Sequence, residues 1–482
     1  MDSNALKKKT ISGIAWKFAE SSLNQIVQFI LSIILARLLV PEDYGIVALV
    51  TVFITICDKI VVSGLPTSLI QKKDSDNLDF STVFYFSLVM SLLLYGGLYA
   101  GAPVIADFYD AYQKDMLVSV IRAMGLQIII VAVNSVQSAY VSKTMQFKRF
   151  FWSTLGGTIV SAMVGIGMAY TGYGVWALVA QYLIKTFANM SVLWVTVKWR
   201  PDRKFSISRF KTLFAYGWRI FTASMIKILY NDLRSLLIGK FYSAADLAFY
   251  NKGQSFPQMV ESNIAGTIDS VFFPAMSHLQ SSEEEMCAML RRTIRVSTYI
   301  LTPLLVGLAA VAEPLVIVLL TEKWLPCVFY LQIISFSFVL APVEIENLQA
   351  IKAMGRSDLV LKLEIIKKSI GLVFLLAAVS LGVGAIAVSL LLSNVAAAVI
   401  NAYPNRKLLS YTYKQQLADI LPPILMSVVM YGAVNVVSST SGSVWILLIL
   451  KICVGGLIYV ILSVISKNRE LNYLSNTFLR RK

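Results

Sequence analysis

Histidine and cysteine are nearly absent from this sequence: one histidine, His278, and four cysteines, Cys57, Cys287, Cys327 and Cys453, occur among 482 residues. A single imidazole leaves little room for histidine-based catalysis or metal binding, and His278 reads as a polar residue in a connecting loop. The cysteines have neither metal nor redox spacing, and no paired framework is visible. No Walker A phosphate loop and no HExxH zinc helix occurs, so neither a metal nor a cofactor is expected. Charge is scarce as well. Only 15% of the residues are Asp, Glu, Lys or Arg, against about 25% in an ordinary soluble domain. That is too little polar surface to cover a soluble protein of this length. A soluble multidomain enzyme is excluded.

Apolar residues fill the gap: 57% of the chain is hydrophobic and the mean hydropathy is +0.69. The reading is an all-α polytopic membrane protein, because open strand edges do not survive in lipid. About fourteen stretches are long and apolar enough to span. They cover 14–37, 43–64, 80–104, 116–140, 151–170, 175–197, 210–239, 245–275, 294–320, 325–350, 361–380, 383–404, 418–437 and 444–465. The connections are short, the longest being about a dozen residues near 65–79, 198–209 and 277–293. None is large enough for a soluble active site. The N-terminal stretch is basic and lacks a signal-peptide core, which fits a retained cytoplasmic start.

The net charge of +16 reflects 43 Lys and Arg against 27 Asp and Glu. The bases fall in alternate connections, among them Lys7, Lys8 and Lys9, the run Lys198–Lys211, and Arg480, Arg481 and Lys482. Roughly 28 lie on one side against 4 on the other. Positive-inside topology explains this better than nucleic acid does. Both termini are expected to be cytoplasmic, which requires an even number of spans.

A weak internal repeat divides the chain. Trp16-Lys17 resembles Trp218-Arg219, and the segment at 36–49 resembles that at 239–252, both at an offset near 202–203. The expected organisation is an N-lobe of six spans at 1–200, a C-lobe of six at 201–410, and two appended spans with a basic tail at 411–482. Such halves would be parallel repeats about the membrane normal. Gly156-Gly157 and Gly455-Gly456, in apolar runs, are expected to allow close helix packing.

Three spans carry polar stripes. In the first, Lys17, Glu20, Ser21, Asn24, Gln28 and Ser32 share a face; in the seventh, Arg219, Lys227 and Arg234 do. In the eighth, Asn251, Ser255, Gln258, Ser262 and Asp269 share one, with Glu261 beside them. Hydrogen bonding between helices is the alternative use for the neutral residues. The bases are harder to explain that way, since Asp232 and Glu261 are too few to neutralise them. Lys185 also lies near mid-depth. A wet cavity lined by surplus cations, suited to an anion, accounts better for the pattern. Lys367 and Lys368 are expected to snorkel. Arg122 is expected to pair with Asp115 or cap the cavity, and Glu344 and Glu346 to pair with loop bases. Asp58 and Glu261 are acids at depth able to bind a proton or sodium, with pairing to Lys59 and Lys227 as the equal alternative.

The ordered series LARLLVPEDYGIVAL (35–49), GLPTSLIQKKD (64–74), STVFYFSL (81–88), MQFKRF (145–150), GYGVWALV (172–179) and YNDLRSLLIGKFYSAADLAFYNKGQS (230–255) resembles the Wzx-type oligosaccharide flippases, or polysaccharide transporters. These belong to the multidrug/oligosaccharidyl-lipid/polysaccharide (MOP) exporter superfamily. The resemblance covers most of residues 1–360. It implies two six-helix lobes in a V around a central cationic cavity. It also implies a transporter, not an enzyme, in the bacterial inner (plasma) membrane, moving undecaprenyl-pyrophosphate-linked oligosaccharide to the outer leaflet for surface polysaccharide synthesis. On that reading Arg219, Lys227 and Arg234, with Lys17 and Lys185, take the pyrophosphate. Glu20, Asn24, Gln28, Asn251, Ser255, Gln258 and Ser262 line the cavity and meet sugar hydroxyls. Coupling to a proton or sodium gradient or to the membrane potential, and contact with the pathway's polymerase and glycosyltransferases, are left open. The alternative is a multidrug exporter of the same superfamily, which the surplus positive charge disfavours for cationic drugs. An enzyme acting on lipid-linked sugars would need a large extracytoplasmic loop.

Overall fold

The computed structural model describes residues 3–471 except 63, 110–112, 280–281 and 439–442. The side chains of Lys7, Lys8, Lys9, Asp269 and His278, and the segment holding Arg480, Arg481 and Lys482, lie outside the described residues. The described chain is helical, without strands. Its helices are α1 (Ser3–Leu38), α2 (Pro41–Val62), α3 (Leu65–Gln71), α4 (Asn77–Phe108), α5 (Lys114–Lys143), α6 (Phe147–Tyr170), α7 (Val175–Thr196), α8 (Ile207–Phe241) and α9 (Ala244–His278). There follow α10 (Glu283–Ala310), α11 (Ala312–Leu320), α12 (Cys327–Ser337), α13 (Ala341–Ala353), α14 (Ser357–Ala378), α15 (Val383–Leu408), α16 (Tyr413–Val436) and α17 (Val444–Ile465).

The expected spans fall mainly on helix, with 325–350 broken between α12 and α13. Among the described residues ten helices are long and apolar enough to cross a membrane, or eleven if α12 and α13, bent by 40°, form one span. This is a polytopic membrane protein. Outside that count are the short apolar α11 and three long helices, α8, α9 and α14; α8 carries seven charged residues, and α14 carries Glu364, Lys367 and Lys368. Two expected connections differ. The 65–79 stretch is not all loop, because Leu65 and Pro66 start the short helix α3. Likewise 283–293 is helical, since Ser282 caps the Glu285 amide and three glutamates fill the first turn of α10. The expected span 294–320 is interrupted at Val311, between α10 and α11.

The helices form two compact units, residues 1–248 and 249–482. In the first, α6 lies between α1 and α7, α5 contacts α2, α4 and α7, and α8 lies along α2, α3 and α4. Its aromatic core gathers Phe80, Phe84, Trp199 and Leu213 with Leu65 and Leu69. In the second, α10 packs on α16, α12 and α13, and α15 on α12, α13 and α14. Arg291 clamps Asp419 of α16 by two hydrogen bonds of 2.8 and 3.0 Å, and the Tyr411 hydroxyl donates to the same carboxylate at 2.8 Å. Lys367 does not snorkel: it is buried, 2.7 Å from Glu364 and 3.2 Å from Glu344. Glu344 therefore meets a lysine on a neighbouring helix, not a loop base. Arg122 lies over the Tyr99 ring, 4.3 Å from its centroid, and donates to the Tyr99 carbonyl at 3.3 Å.

The paired glycines divide their roles. A Cβ on Gly157 would come within 2.9 Å of the Lys185 carbonyl oxygen, whereas one on Gly156 would meet nothing within 4 Å. Gly455 likewise faces Val434 at 3.2 Å, and Gly456 faces open space. Only one member of each pair allows close packing.

Where α8 begins, a charged cluster holds it to α4. Asp76 and Asp79 form a reciprocal cap on α4. Arg209 reaches Asp76 at 3.2 Å and Asp79 at 3.5 Å, and Lys72 reaches Asp79 at 2.6 Å. The Asp79 amide, and after it the Arg209 guanidinium, hold the Asp76 carboxyl below the usual carboxylate range. A depressed folded pKa gives stability that is present above the unfolded value near 3.9 and lost as the pH falls through the folded value. Thermal unfolding of the detergent-purified protein between pH 5 and 3 should therefore show a smaller acid-induced drop for Asp76→Asn than for the unaltered chain. Equal drops would show that Asp76 contributes nothing to acid sensitivity.

Candidate substrate-binding residues

The site residues in the first unit lie on α1, α2, α7 and α8. Arg219 and Lys227 are exposed on α8, while Arg234, about two turns from its end, is only 7% exposed. Its Nε and Nη2 are buried and find no hydrogen-bond partner among the described residues. A guanidinium carries five donors and cannot shed its charge, so burial without acceptors is costly.

Glycine contacts place α8 against α2. A Cβ on Gly45 would fall 1.9 Å from the carbonyl oxygen of Ala244, just beyond α8, and one on Gly239 would fall 2.0 Å from Leu49. At the other end, Gly64, with φ +69°, brings its Cα within reach of the Gly217 carbonyl, where an added Cβ would lie 2.3 Å away. Lys240 also donates to the Phe108 carbonyl of α4. The helix is thus held at both ends. Between them Trp218, Arg219, Ile226, Lys227 and Asn231 are exposed.

On α1, Lys17 pairs with Glu20 at 2.5 Å. Asn24 accepts from the Thr158 hydroxyl of α6 at 2.7 Å, and Gln28 donates to the same hydroxyl at 3.4 Å. These two residues are therefore brought together by an interhelical bond. Asp58 of α2 accepts from Gln127 of α5 at 3.2 Å, and its other oxygen is buried without a partner among the described residues. Lys59 is exposed. Thr158 and Gln127 are not recognisable from sequence, because a partner on another helix becomes apparent only once neighbouring helices are known.

In the second unit, Ser255, Gln258 and Ser262 are exposed along α9 and Asn251 is half-buried. The Ser255 hydroxyl donates to the Lys252 carbonyl at 2.7 Å, and that of Ser262 to Met259 at 3.5 Å, both within the helix. Gln258 accepts from Gln254 at 3.5 Å. Glu261 is half-buried. The serine hydroxyls thus satisfy themselves locally while keeping a polar face exposed.

A protein family described as "Polysaccharide biosynthesis protein" matches residues 34–329, more than half of the chain. The chain belongs to this family. Among similar proteins, the succinoglycan biosynthesis transport protein ExoT of Rhizobium meliloti is 23% identical over 318 residues, 66% of this chain and 64% of that protein. The match thus spans just under two thirds of that relative's length. The teichuronic acid biosynthesis protein TuaB of Bacillus subtilis is 24% identical over 365 residues, 74% of this chain and 73% of that protein. Among solved structures, the lipid II flippase MurJ in an inward closed conformation superposes with a TM-score of 0.77 at 14% identity, over 97% of this chain and all of that one. An inward-facing multidrug resistance MATE transporter of the MOP superfamily gives 0.64 at 16% identity, over 82% of this chain and 98% of that one. The chain therefore has the fold of MurJ and of the MATE transporter.

Proposed function

We propose that the protein is a flippase for undecaprenyl-pyrophosphate-linked oligosaccharide, moving it from the cytoplasmic to the outer leaflet of the bacterial inner (plasma) membrane. The observation that carries this reading is Arg234: a buried guanidinium in a membrane-spanning unit whose Nε and Nη2 lack acceptors. A pyrophosphate supplies acceptors in the bidentate geometry that Arg favours. Arg219 and Lys227, exposed on the same helix, add positive charge along its length. Lys17 completes the set, and Lys185 is considered below. Asn24, Gln28, Asn251, Ser255, Gln258 and Ser262 meet sugar hydroxyls on this reading. The polyprenyl tail stays in lipid, because only the head group is too costly to carry unaided through hydrocarbon.

The reading takes α8, α9 and α14 as spans too polar to pass a hydropathy threshold. Added to the eleven, they make fourteen, with both termini cytoplasmic as the basic connections require. Two six-helix lobes and an appended pair then alternate access around a cavity. Asp58 and Glu261 are the candidates for coupling to a proton or sodium gradient. The pathway's polymerase and glycosyltransferases are the partners that would consume and supply such a substrate.

The test is transbilayer movement in proteoliposomes of a fluorescent short-chain polyprenyl-pyrophosphate oligosaccharide, with ethidium efflux measured alongside. Protein-dependent movement of the lipid without ethidium transport is expected. Ethidium efflux without lipid movement would instead assign the protein to multidrug export.

A further inference from the structure

Two polar groups on α7 have no role in the network described so far. Lys185 is half-buried and makes neither a hydrogen bond nor an ion pair among the described residues. Asn189, one turn along, has its Oδ1 buried and likewise without a partner. Residues four apart share a helix face, with Cβ atoms about 5–6 Å apart. Their position is fixed by the close approach of α6: the missing Cβ of Gly157 leaves room for the Lys185 carbonyl and the Asn189 amide, 2.9 and 3.2 Å from where that atom would lie. The next residue, Thr158, is the one that gathers Asn24 and Gln28 of α1. Gly157 and Thr158 thus turn to different neighbours, and the close approach of α6 and α7 keeps a cation and a buried amide carbonyl together on one face of α7.

The two unmet needs differ in kind. An ammonium requires an acceptor, and a buried amide carbonyl requires a donor. An ionised pyrophosphate diester carries acceptors only, so it would satisfy Lys185 and leave Asn189 Oδ1 unpaired. A neutral sugar supplies hydroxyl donors but no counter-charge. A sugar bearing a carboxylate supplies both.

We propose that Lys185 and Asn189 form a subsite for an acidic, carboxylate-bearing sugar of the transported oligosaccharide. Lys185 takes the carboxylate, and the Asn189 carbonyl accepts from a ring hydroxyl. The proposal rests on the flippase reading and moves Lys185 from the pyrophosphate to the glycan, where it sets selectivity.

Two polyprenyl-pyrophosphate oligosaccharides are compared in proteoliposomes, identical except that one carries a hexuronate where the other carries the neutral hexose. The quantity read is the ratio of their transbilayer rates. The unaltered protein should favour the acidic lipid by about tenfold. Lys185→Ala should bring the ratio near one, Lys185→Arg should restore it, and Asn189→Asp should turn it below one by repelling the carboxylate. Equal losses on both lipids in Lys185→Ala would return Lys185 to the shared head group and overturn the proposal, as would an unaltered protein with no preference. Movement of neither lipid by the unaltered protein would instead sink the flippase reading itself, and the subsite with it.

Discussion

Replacing Arg234 with alanine is expected to lower lipid-linked oligosaccharide movement by about a hundredfold or more, because it removes the one buried guanidinium of α8 that has donors to spare. Arg234→Lys should retain some transport yet fall by about tenfold, since an ammonium keeps the charge and loses the planar fork. The accompanying change in stability separates this from a structural role. An arginine that fastened helices would cost several kcal/mol on removal. A guanidinium without partners should cost nothing on removal and raise the unfolding temperature of the purified protein, because its burial penalty is lifted. Loss of transport together with a marked loss of stability would identify Arg234 as a packing residue and remove the support it gives to pyrophosphate binding.

Gly45→Val should be the most damaging substitution for stability among the glycines of the first unit. The new side chain would begin 1.9 Å from the Ala244 carbonyl oxygen and 2.3 Å from its carbon, and neither is the end of a flexible side chain. Overpacking against backbone of this kind costs about 3 kcal/mol or more. In a protein of 482 residues that is a fall of on the order of 3 °C in unfolding temperature. Gly97→Ala on α4 is the matched comparison: nothing lies within 4 Å of its added Cβ, and a gain of a few tenths of a kcal/mol is expected from helix propensity. A Gly45→Val protein as stable as the unaltered chain would mean that α2 and the α8–α9 turn separate readily.

Much of this fold is legible in the sequence. The apolar stretches coincide with helices, ten or eleven of them able to cross a membrane among the described residues, because the requirement for about twenty apolar residues is imposed by the bilayer and not by neighbouring helices. The polar face of α8 could be read for the same reason: Arg219, Lys227 and Arg234 recur at helical spacing in an otherwise apolar run. What could not be read was the use each residue finds. Lys367 near a helix end looks like a snorkelling lysine, yet it is buried between Glu344 and Glu364. Asn24 and Gln28 look alike in a helical projection whether they face a cavity or another helix, and both meet Thr158, 130 or more residues away. Gly156 and Gly157 are equivalent in sequence, and only their rotation about the helix decides which one faces α7. Periodicity supplies a direction around one helix axis; it does not supply the neighbour found there.

The polarity of α8 also bears on how the chain is made. On the fourteen-span reading, Arg219, Lys227, Asp232 and Arg234 must all enter the bilayer, and each charge near the centre of an isolated helix opposes insertion by about 2.5–3.5 kcal/mol. The leucines and isoleucines of α8 offset only part of that, so the segment is poorly suited to partition on its own as it leaves the ribosome. Seven helices precede it in the chain, and its close approaches to them are built in: Gly64 receives the Gly217 carbonyl, Gly45 receives Ala244 just beyond the helix, and Gly239 of α8 itself makes room for Leu49 of α2. Membrane insertion of α8 then becomes a docking event as much as a partitioning one. Side chains that fill those close approaches should expose α8 to quality-control proteolysis before transport is ever tested.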